Sequence, residues 1–329
     1  MTAAVGTALL DRVATAPISW GVCEVPGWGY QLPVDRVLAE MAAAGFTHTE
    51  LGSFGYLPTE PAELRSTLDR HGLGLLGGFV PLVLHDRDRA DETRAAAHRW
   101  AELIGGAGGK FFVTCAVSHP DHWRQQPLTD HEWAVLCDSL AEVDALADSH
   151  GLKQAYHSHF GSVVETDAEL ARVLEGSEVS LVLDTAHLTL GGTDVLELLD
   201  RYAHRVGLVH LKDVDPALGT RLTAGELTLM QAVQRGLFPP LGRGEVPITE
   251  IVTRLEESGR DLWYVLEQDA AIAEGDLSAV AWLRRNADLS LDFLRGLVPA
   301  RAAPHRGGPG SGAGRDLHHP QSQPRRSGR

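Results

Sequence analysis

Four short segments of the chain each place a side chain that can bind a metal ion at the end of a predicted β-strand. In the first three segments these residues are His157, Asp184 and His210, which lie 27 and 26 residues apart. That interval matches one strand–helix unit, so the three side chains would recur at one level of a repeating fold. The fourth residue, Glu267, follows His210 after 57 residues, with an insertion between them. Parallel strands of a barrel bring such side chains together at one mouth.

Two imidazoles and two carboxylates are a donor set typical of transition-metal sites. They favour Mn²⁺ or Co²⁺, with Zn²⁺ and Fe²⁺ as further candidates, over Ca²⁺ and Mg²⁺, which prefer oxygen ligands alone. Such an ion polarises a carbonyl or hydroxyl group and makes a neighbouring C–H bond acidic. This chemistry serves isomerisation, epimerisation and the removal of water beside a ketone. Each residue also has an ordinary structural explanation, such as a cap of the following turn for Asp184, but recurrence at four strand ends favours the metal site.

Polar residues near these ligands predict acid–base and substrate-binding roles. His159 and His187 lie just beyond candidate ligands, where a side chain can orient a ligand or bind substrate. Lys212 follows His210 by two residues, so both point to the same side of an extended chain; a salt bridge at the barrel rim is its alternative role. The predicted catalytic residues are Lys212, His159 and Glu267, and the predicted substrate-binding residues are Trp20, Glu50, His187 and Asp213. Trp20 could instead pack in the core.

The elements that position these residues alternate between strand and helix. The predicted strands are Ile18–Cys23, His48–Leu51, Leu73–Val80, Phe111–Cys115, Leu152–His157, Val179–Asp184, Val206–Leu211 and Leu262–Glu267. Strands this apolar are typical of a parallel sheet that is buried on both faces. Eight such units predict an α/β fold, the (β/α)8 TIM barrel. An open doubly wound sheet is the alternative, but the glycines after the first strand do not have its GxGxxG spacing.

Two segments depart from the repeat. The connection from Asp213 to Glu245 is long and would lie at the catalytic mouth, so we predict an inserted segment after strand 7 that acts as a lid or an oligomer contact. Residues 299–329 are rich in Gly, Pro, Ser and Arg, which predicts a disordered basic tail. The expected organisation is therefore a catalytic barrel domain over residues 1–298 and a tail over residues 299–329.

The bulk properties exclude several classes of partner. A formal net charge of −15 argues against nucleic acid, whose phosphates demand a basic surface. The chain has neither an apolar run long enough to span a bilayer nor the pattern of a signal peptide, which predicts no membrane partner. Three widely spaced cysteines form no disulfide framework, so the expected location is the reducing cytoplasm. A homo-oligomer is compatible with these properties.

Several motifs occur in the order of a known family over residues 17–295. They are Ile18-Ser19-Trp20-Gly21, Thr49-Glu50-Leu51-Gly52, Tyr156-His157-Ser158-His159-Phe160-Gly161-Ser162, Asp184-Thr185-Ala186-His187, Val209-His210-Leu211-Lys212-Asp213 and Glu267-Gln268-Asp269. On these motifs the chain resembles the sugar isomerase/epimerase-like barrels of the xylose-isomerase-like superfamily. Within that superfamily it is most similar to the myo-inosose-2 dehydratases.

The resemblance implies a metal-dependent lyase of inositol catabolism that removes water from 2-keto-myo-inositol (scyllo-inosose), a cyclic polyol ketone. In many superfamily members a glutamate stands where His157 stands here. The last strand is shorter around Glu267-Gln268-Asp269 than in the dehydratase pattern, and Gly242-Arg243-Gly244 replaces an expected Pro-Gly-Asp-Gly turn. Two other functions fit the same residues: a keto-inositol or keto-sugar isomerase or epimerase, and a non-catalytic barrel that binds polyols.

Overall fold

The structure is a computed structural model that describes residues 9–120 and 123–297. Within these residues, eight parallel strands form a closed barrel. Each strand pairs with the next one in sequence, and the last strand pairs with the first, with Val13 opposite Tyr264. The strands are β1 (Val13–Thr15), β2 (His48–Glu50), β3 (Gly74–Leu82), β4 (Phe111–Ala116), β5 (Lys153–His157), β6 (Ser180–Asp184), β7 (Val206–Leu211) and β8 (Tyr264–Leu266). The predicted (β/α)8 TIM barrel is confirmed.

Helices follow the strands and cover the outside of the barrel. In the described residues they are α1 (Val34–Ala44), α2 (Pro61–Asp69), α3 (Ala90–Gly106), α4 (Asp130–Ser149), α5 (Asp167–Gly176), α6 (Thr185–Leu190), α7 (Val195–Tyr202), α8 (Pro216–Thr223), α9 (Leu229–Val233), α10 (Ile248–Glu257) and α11 (Leu277–Leu297). Thr129 and Thr166 begin α4 and α5 with capping boxes, in which side chains satisfy the free backbone N–H groups of the first turn. None of the described helices is both long and apolar enough to cross a membrane.

The first strand differs from its prediction. We expected it at Ile18–Cys23, but β1 is Val13–Thr15, and Pro17–Trp20 forms a 3-10 turn. Proline begins that turn because its φ angle is fixed and its nitrogen carries no hydrogen to donate. Gly21 ends the turn with a φ of +81°, a left-handed conformation that favours glycine. The buried strand itself has only three residues, too few to show a periodic pattern.

Two apolar layers stabilise the barrel, and the inner one determines where the functional residues lie along the barrel axis. One layer lies between strands and helices and includes Leu183 and Val209. The other is a cluster of inward-facing side chains made of Ala14, Ala16, Leu76, Phe111, Val113, Ala155, Val182, Leu208 and Val265. Successive side chains of a strand point to opposite faces, so the residues two positions after Ala155, Val182 and Leu208 also point inward. Those residues are His157, Asp184 and His210, one step nearer the mouth.

The predicted insertion after strand 7 is confirmed, and it carries α8 and α9. Backbone hydrogen bonds close it onto the end of β7: Asp215 N–H donates to Leu237 O (2.8 Å), and Glu245 N–H donates to Val214 O (2.9 Å). The Gln234 side chain donates to the backbone carbonyl of Trp28, in the loop after β1 (3.0 Å). The insertion is therefore tied to the barrel mouth at several points. The predicted tail, residues 299–329, lies outside the described residues.

Candidate metal centre

The four predicted ligands come from four adjacent strands. His157 and Asp184 are the last residues of β5 and β6, His210 lies near the end of β7, and Glu267 follows β8 directly. In the register of the sheet Asp184 lies opposite His210. Donor atoms of His157, Asp184 and His210 all lie within 4.8 Å of one another, and so do those of Glu50, His210 and Glu267. The structure therefore brings the predicted ligands together and adds Glu50, which we had predicted to bind substrate.

The donor atoms are arranged around His210. His210 Nδ1 lies 3.4 Å from Glu267 Oε2 and 3.8 Å from Asp184 Oδ2, and His157 Nε2 lies 3.4 Å from the same Asp184 oxygen. On the other side of the ring, His210 Nε2 lies 3.3 Å from Glu50 Oε1. With Glu50 Oε1 as the acceptor, Nε2 carries the hydrogen, and Nδ1 faces the other carboxylates. Such imidazole–carboxylate pairs fix the orientation of metal-ligating histidines.

Two buried polar atoms support a cation site. Asp184 Oδ2 and His210 Nδ1 make no hydrogen bond within the described part of the chain. Buried polar groups without partners are costly, because folding removes them from water. A divalent ion would bind donors of this kind, and a mixed nitrogen and oxygen set suits Mn²⁺, Co²⁺, Zn²⁺ or Fe²⁺. The residues at the mouth of the barrel fit the predicted metal.

The electrostatics of the centre also favour added positive charge. Burial disfavours the charged form of His210, but Glu50 and Glu267 outweigh burial and raise its pKa well above the ordinary value. Burial would raise the pKa of Asp184, yet Lys212 and His187 hold it well below the ordinary value. The ionised form of Asp184 and a proton on His210 are thus both favoured, because acidic and basic groups lie close together in this cluster.

Asp184 has two roles, one for each oxygen. Its Oδ1 accepts hydrogen bonds from the backbone N–H groups of Ala186 (2.9 Å) and His187 (2.8 Å), which begin α6. Its Oδ2 faces His157 and His210 instead. The sequence analysis treated a helix cap and a metal ligand as alternative roles of Asp184. The geometry allows both roles, because each uses a different oxygen. The short helix α6 was not predicted from the sequence.

Lys212 lies at the centre of the charged cluster, with its side chain 2% exposed. Its Nζ lies 2.7 Å from Asp269 Oδ1, 2.9 Å from Glu267 Oε2 and 3.3 Å from His187 Nε2. Burial disfavours the ammonium form, but Asp269 and Glu267 outweigh it and raise the pKa of Lys212 above its ordinary value. Lys212 is therefore a buried ammonium that donates hydrogen bonds, and the proposed salt bridge at the rim is instead an ion pair inside the site.

His159 and His187 form a stacked pair above the ligands. Their ring centroids are 3.6 Å apart. His159 Nδ1 lies 2.7 Å from Phe160 O, and a carbonyl can only accept, so Nδ1 carries the hydrogen and Nε2 keeps its lone pair. Burial and the neighbouring His157 lower the pKa of His159 to about 3. His159 is consequently a neutral imidazole that carries its lone pair on Nε2.

Three aromatic side chains enclose this polar cluster. Phe79 in β3 contacts His157 edge-on, with ring centroids 5.4 Å apart. Trp123, in the loop after β4, lies 5.2 Å from His159, measured between ring centroids. Phe238, from the insertion, places its ring centroid 5.1 Å from Lys212 Nζ. Apolar walls of this kind reduce the access of water and strengthen the electrostatic interactions inside.

Two predicted substrate-binding residues lie elsewhere. Trp20 is fully buried and packs edge-on against Phe46 within the main hydrophobic core, which favours the core role that we had kept as its alternative. Asp213 is fully buried, and its two carboxylate oxygens accept four backbone hydrogen bonds, from Val214, Gly242, Gly244 and Val246. Both oxygens are thus used within the protein, and the geometry favours an anchor of the insertion over a substrate contact.

The turn held by Asp213 explains the glycines Gly242 and Gly244. Gly242 has a φ of +77°, and a Cβ there would collide with the ring of Phe293. A Cβ on Gly244 would lie 2.3 Å from Asp213 Oδ1, inside the contact distance of the carboxylate. This turn therefore depends on both glycines because the backbone must approach Asp213 closely.

Replacing Asp213 with asparagine should lower the free energy of unfolding by about 3 kcal/mol, because the new amide nitrogen would face backbone donors and leave them unpaired. Urea denaturation followed by circular dichroism measures this change. The matched control is Asp215→Asn, since Asp215 caps α8 through one accepting oxygen, which asparagine retains. Equal stability losses in the two variants would show that Asp213 is not a special anchor.

The sequence reasoning missed four residues of the site: Asp269, Phe79, Trp123 and Phe238. The position of Asp269 in the sequence was a usable signal, because Asp269 follows Glu267 by two residues, just as Lys212 follows His210. In the structure Asp269 and Lys212 form an ion pair. The aromatic residues gave no such signal. Two of them lie in long connections whose path the sequence pattern does not define.

Comparisons with known proteins agree with this architecture. Residues 38–290 match the family model described as xylose isomerase-like TIM barrel. A curated protein of Geobacillus kaustophilus (strain HTA426) named inosose dehydratase is 36% identical over 276 residues, which cover 80% of this chain and 89% of the relative. The inosose dehydratase of Geobacillus thermodenitrificans (strain NG80-2) is 29% identical over 294 residues, 84% of this chain and 98% of the relative.

A solved structure, the IolI protein with a bound zinc atom, superposes with a TM-score of 0.65 at 15% identity, over 88% of this chain and all of that chain. At that identity the likeness shows the fold. The match of the family model covers most of the chain, and the curated relatives align over most of their own length. The chain therefore belongs to the xylose isomerase-like TIM barrel family, in which it groups with the inosose dehydratases.

Proposed function

We propose that the protein is a metal-dependent dehydratase that removes water from an inosose, 2-keto-myo-inositol, in inositol catabolism. One observation carries the proposal. In a chain 36% identical to an inosose dehydratase, the side chains of His157, Asp184, His210 and Glu267 meet at the mouth of the barrel. The substrate is thus a small cyclic polyol ketone.

His157, Asp184, His210 and Glu267 would hold the divalent ion, with Glu50 orienting His210. When bound, the ion polarises the ketone oxygen and the adjacent hydroxyl, which makes the neighbouring C–H bond acidic. We propose Mn²⁺ or Co²⁺. The zinc atom of the IolI structure supports a divalent ion in this fold and makes Zn²⁺ the main alternative.

His159 is proposed as the base, because the Phe160 carbonyl fixes the hydrogen on Nδ1 and so leaves the lone pair on Nε2. Nε2 accepts the proton from the carbon next to the ketone. The electron pair of that C–H bond then forms the C=C bond, and the hydroxyl on the next carbon departs. His159 returns its proton to the departing hydroxyl, so one water molecule is lost and the enzyme is unchanged.

Lys212 stabilises the negative charge that develops on the substrate during this step. Its ammonium is held by Asp269 and Glu267, and the ring of Phe238 shields it from water. A donor fixed before the reaction contributes more than a mobile one, because it needs no rearrangement as charge develops. Lys212 is therefore proposed as a charge-stabilising group and His159 as the group that moves the proton.

The test is a direct assay with 2-keto-myo-inositol. Purified protein is loaded with Mn²⁺, Co²⁺ or Zn²⁺, its metal content is measured, and the conjugated dione product is followed by ultraviolet absorbance. We expect product with the metal-loaded protein and a strong loss after chelation. Absence of product at full metal occupancy would contradict the dehydratase, and deuterium uptake from D2O without loss of water would indicate an epimerase instead.

We also propose that the protein works in the cytoplasm. Cys23, Cys115 and Cys137 are all free thiols, which fits a reducing compartment.

A further inference from the structure

The Lys212 ammonium shares its oxygen partners with the proposed metal ligands. Nζ lies 2.9 Å from Glu267 Oε2 and 3.7 Å from Asp184 Oδ2. These are the same two oxygens that lie nearest to His210 Nδ1, at 3.4 Å and 3.8 Å. One pair of carboxylate oxygens therefore faces both the lysine and the histidine that would hold the ion.

The charges in this cluster cannot all be balanced by the chain. Four carboxylates, those of Glu50, Asp184, Glu267 and Asp269, are buried in this cluster, and Lys212 is the buried lysine beside them among the residues that the structure describes. An ion that binds His210 requires the neutral ring, the formal charge of the cluster is then negative, and a divalent ion brings it closer to zero. The same ion must, however, lie close to the ammonium, and two cations a few ångströms apart repel each other strongly in a buried site.

We propose that Lys212 limits the affinity of the centre for its divalent ion. The ammonium stabilises the metal-free cluster by pairing with Glu267 and Asp184, and it opposes the ion that binds the same oxygens. Asp269, whose Oδ1 lies 2.7 Å from Nζ, holds the ammonium beside the site. This ion pair competes with the pairing of the ammonium to Glu267 and Asp184. This inference rests on the proposed metal centre and adds that an internal cation sets how readily the metal exchanges.

The test measures dissociation constants for Zn²⁺ and Mn²⁺, each alone, by competition with a chromophoric chelator. Lys212→Met should bind both ions about tenfold more tightly or better, because the repelling charge is gone while an unbranched side chain remains. Lys212→Arg, which retains the charge, should stay close to the wild type. Lys110→Met is the matched control, since Lys110 directly precedes β4 and so lies at the opposite end of the barrel.

A second set of measurements keeps the test decisive if Lys212→Met folds poorly without metal. Its melting temperature in chelator should fall below that of the wild type, and the rise on adding Zn²⁺ should be larger. Asp269→Asn should weaken ion binding, because the ammonium then pairs more fully with Glu267. Unchanged affinity and unchanged metal-induced stabilisation in Lys212→Met would overturn this inference and leave the metal centre standing. A wild-type protein that binds neither ion would overturn the centre itself.

Discussion

Asp184→Asn is expected to lower kcat/KM for 2-keto-myo-inositol by about a thousandfold, the several kcal/mol that a bound ion contributes to stabilising developing charge. The substitution is selective because asparagine keeps the oxygen that caps α6 and replaces only the oxygen that faces His157 and His210. The metal content of the purified variant should fall together with its activity, while the helix start is preserved.

Asp194→Asn is the matched control for this experiment. Asp194 caps α7 in the same way, with one oxygen accepting from the N–H groups of Leu196 and Glu197, but it is exposed and caps a different helix. We expect wild-type kcat/KM and metal content in the control. Full activity of Asp184→Asn with a normal metal content would exclude Asp184 as a ligand.

His159→Phe should lower kcat by about a hundredfold to ten-thousandfold, the usual contribution of a positioned base. Phenylalanine retains a ring that stacks on His187 and contacts Trp123, so the walls of the site are kept and only the basic nitrogen is lost. Steady-state kinetics should show a fall in kcat with little change in KM. The bound metal, measured by elemental analysis, should equal that of the wild type.

His98→Phe provides the corresponding control, because His98 is an exposed residue of α3 that faces His150. Its kcat should be that of the wild type. If His159→Phe keeps its activity, the proton is moved by another group, and Lys212 becomes the next residue to test. A loss of metal in His159→Phe would instead assign His159 a role in holding the ion.

The ligand positions were predictable because they depend on a physical regularity. A β-strand alternates its side chains, so the apolar residue Val182 inside the barrel requires Asp184 to point inward as well. Repetition of this pattern in β5, β6 and β7 made His157 and His210 predictable in the same way. The fold followed from eight such units, and the boundaries of β7 agree with their prediction.

The remaining features depend on contacts between distant segments. Trp123 and Phe238 come from connections after β4 and β7, whose paths follow tertiary packing and carry no periodic pattern. β1 was misplaced because three buried residues give no periodicity, while the apolar residues of the following 3-10 turn resemble a strand. The division of roles between the oxygens of Asp184 required the position of α6.

The apolar cluster beneath the ligands, which includes Ala155, Val182 and Leu208, fills the inside of the described barrel on that side of the site. The ion and the polyol would both enter and leave on the side of the site that Trp123 and Phe238 border. The ion binds deeper, so it would enter before the polyol and leave after it. The ion would reach the bottom before the polyol covers it, and the polyol would then seal the exit. A chelator should accordingly strip the metal more slowly when a non-reacting inositol analogue saturates the protein, and equal stripping rates would point to a second route.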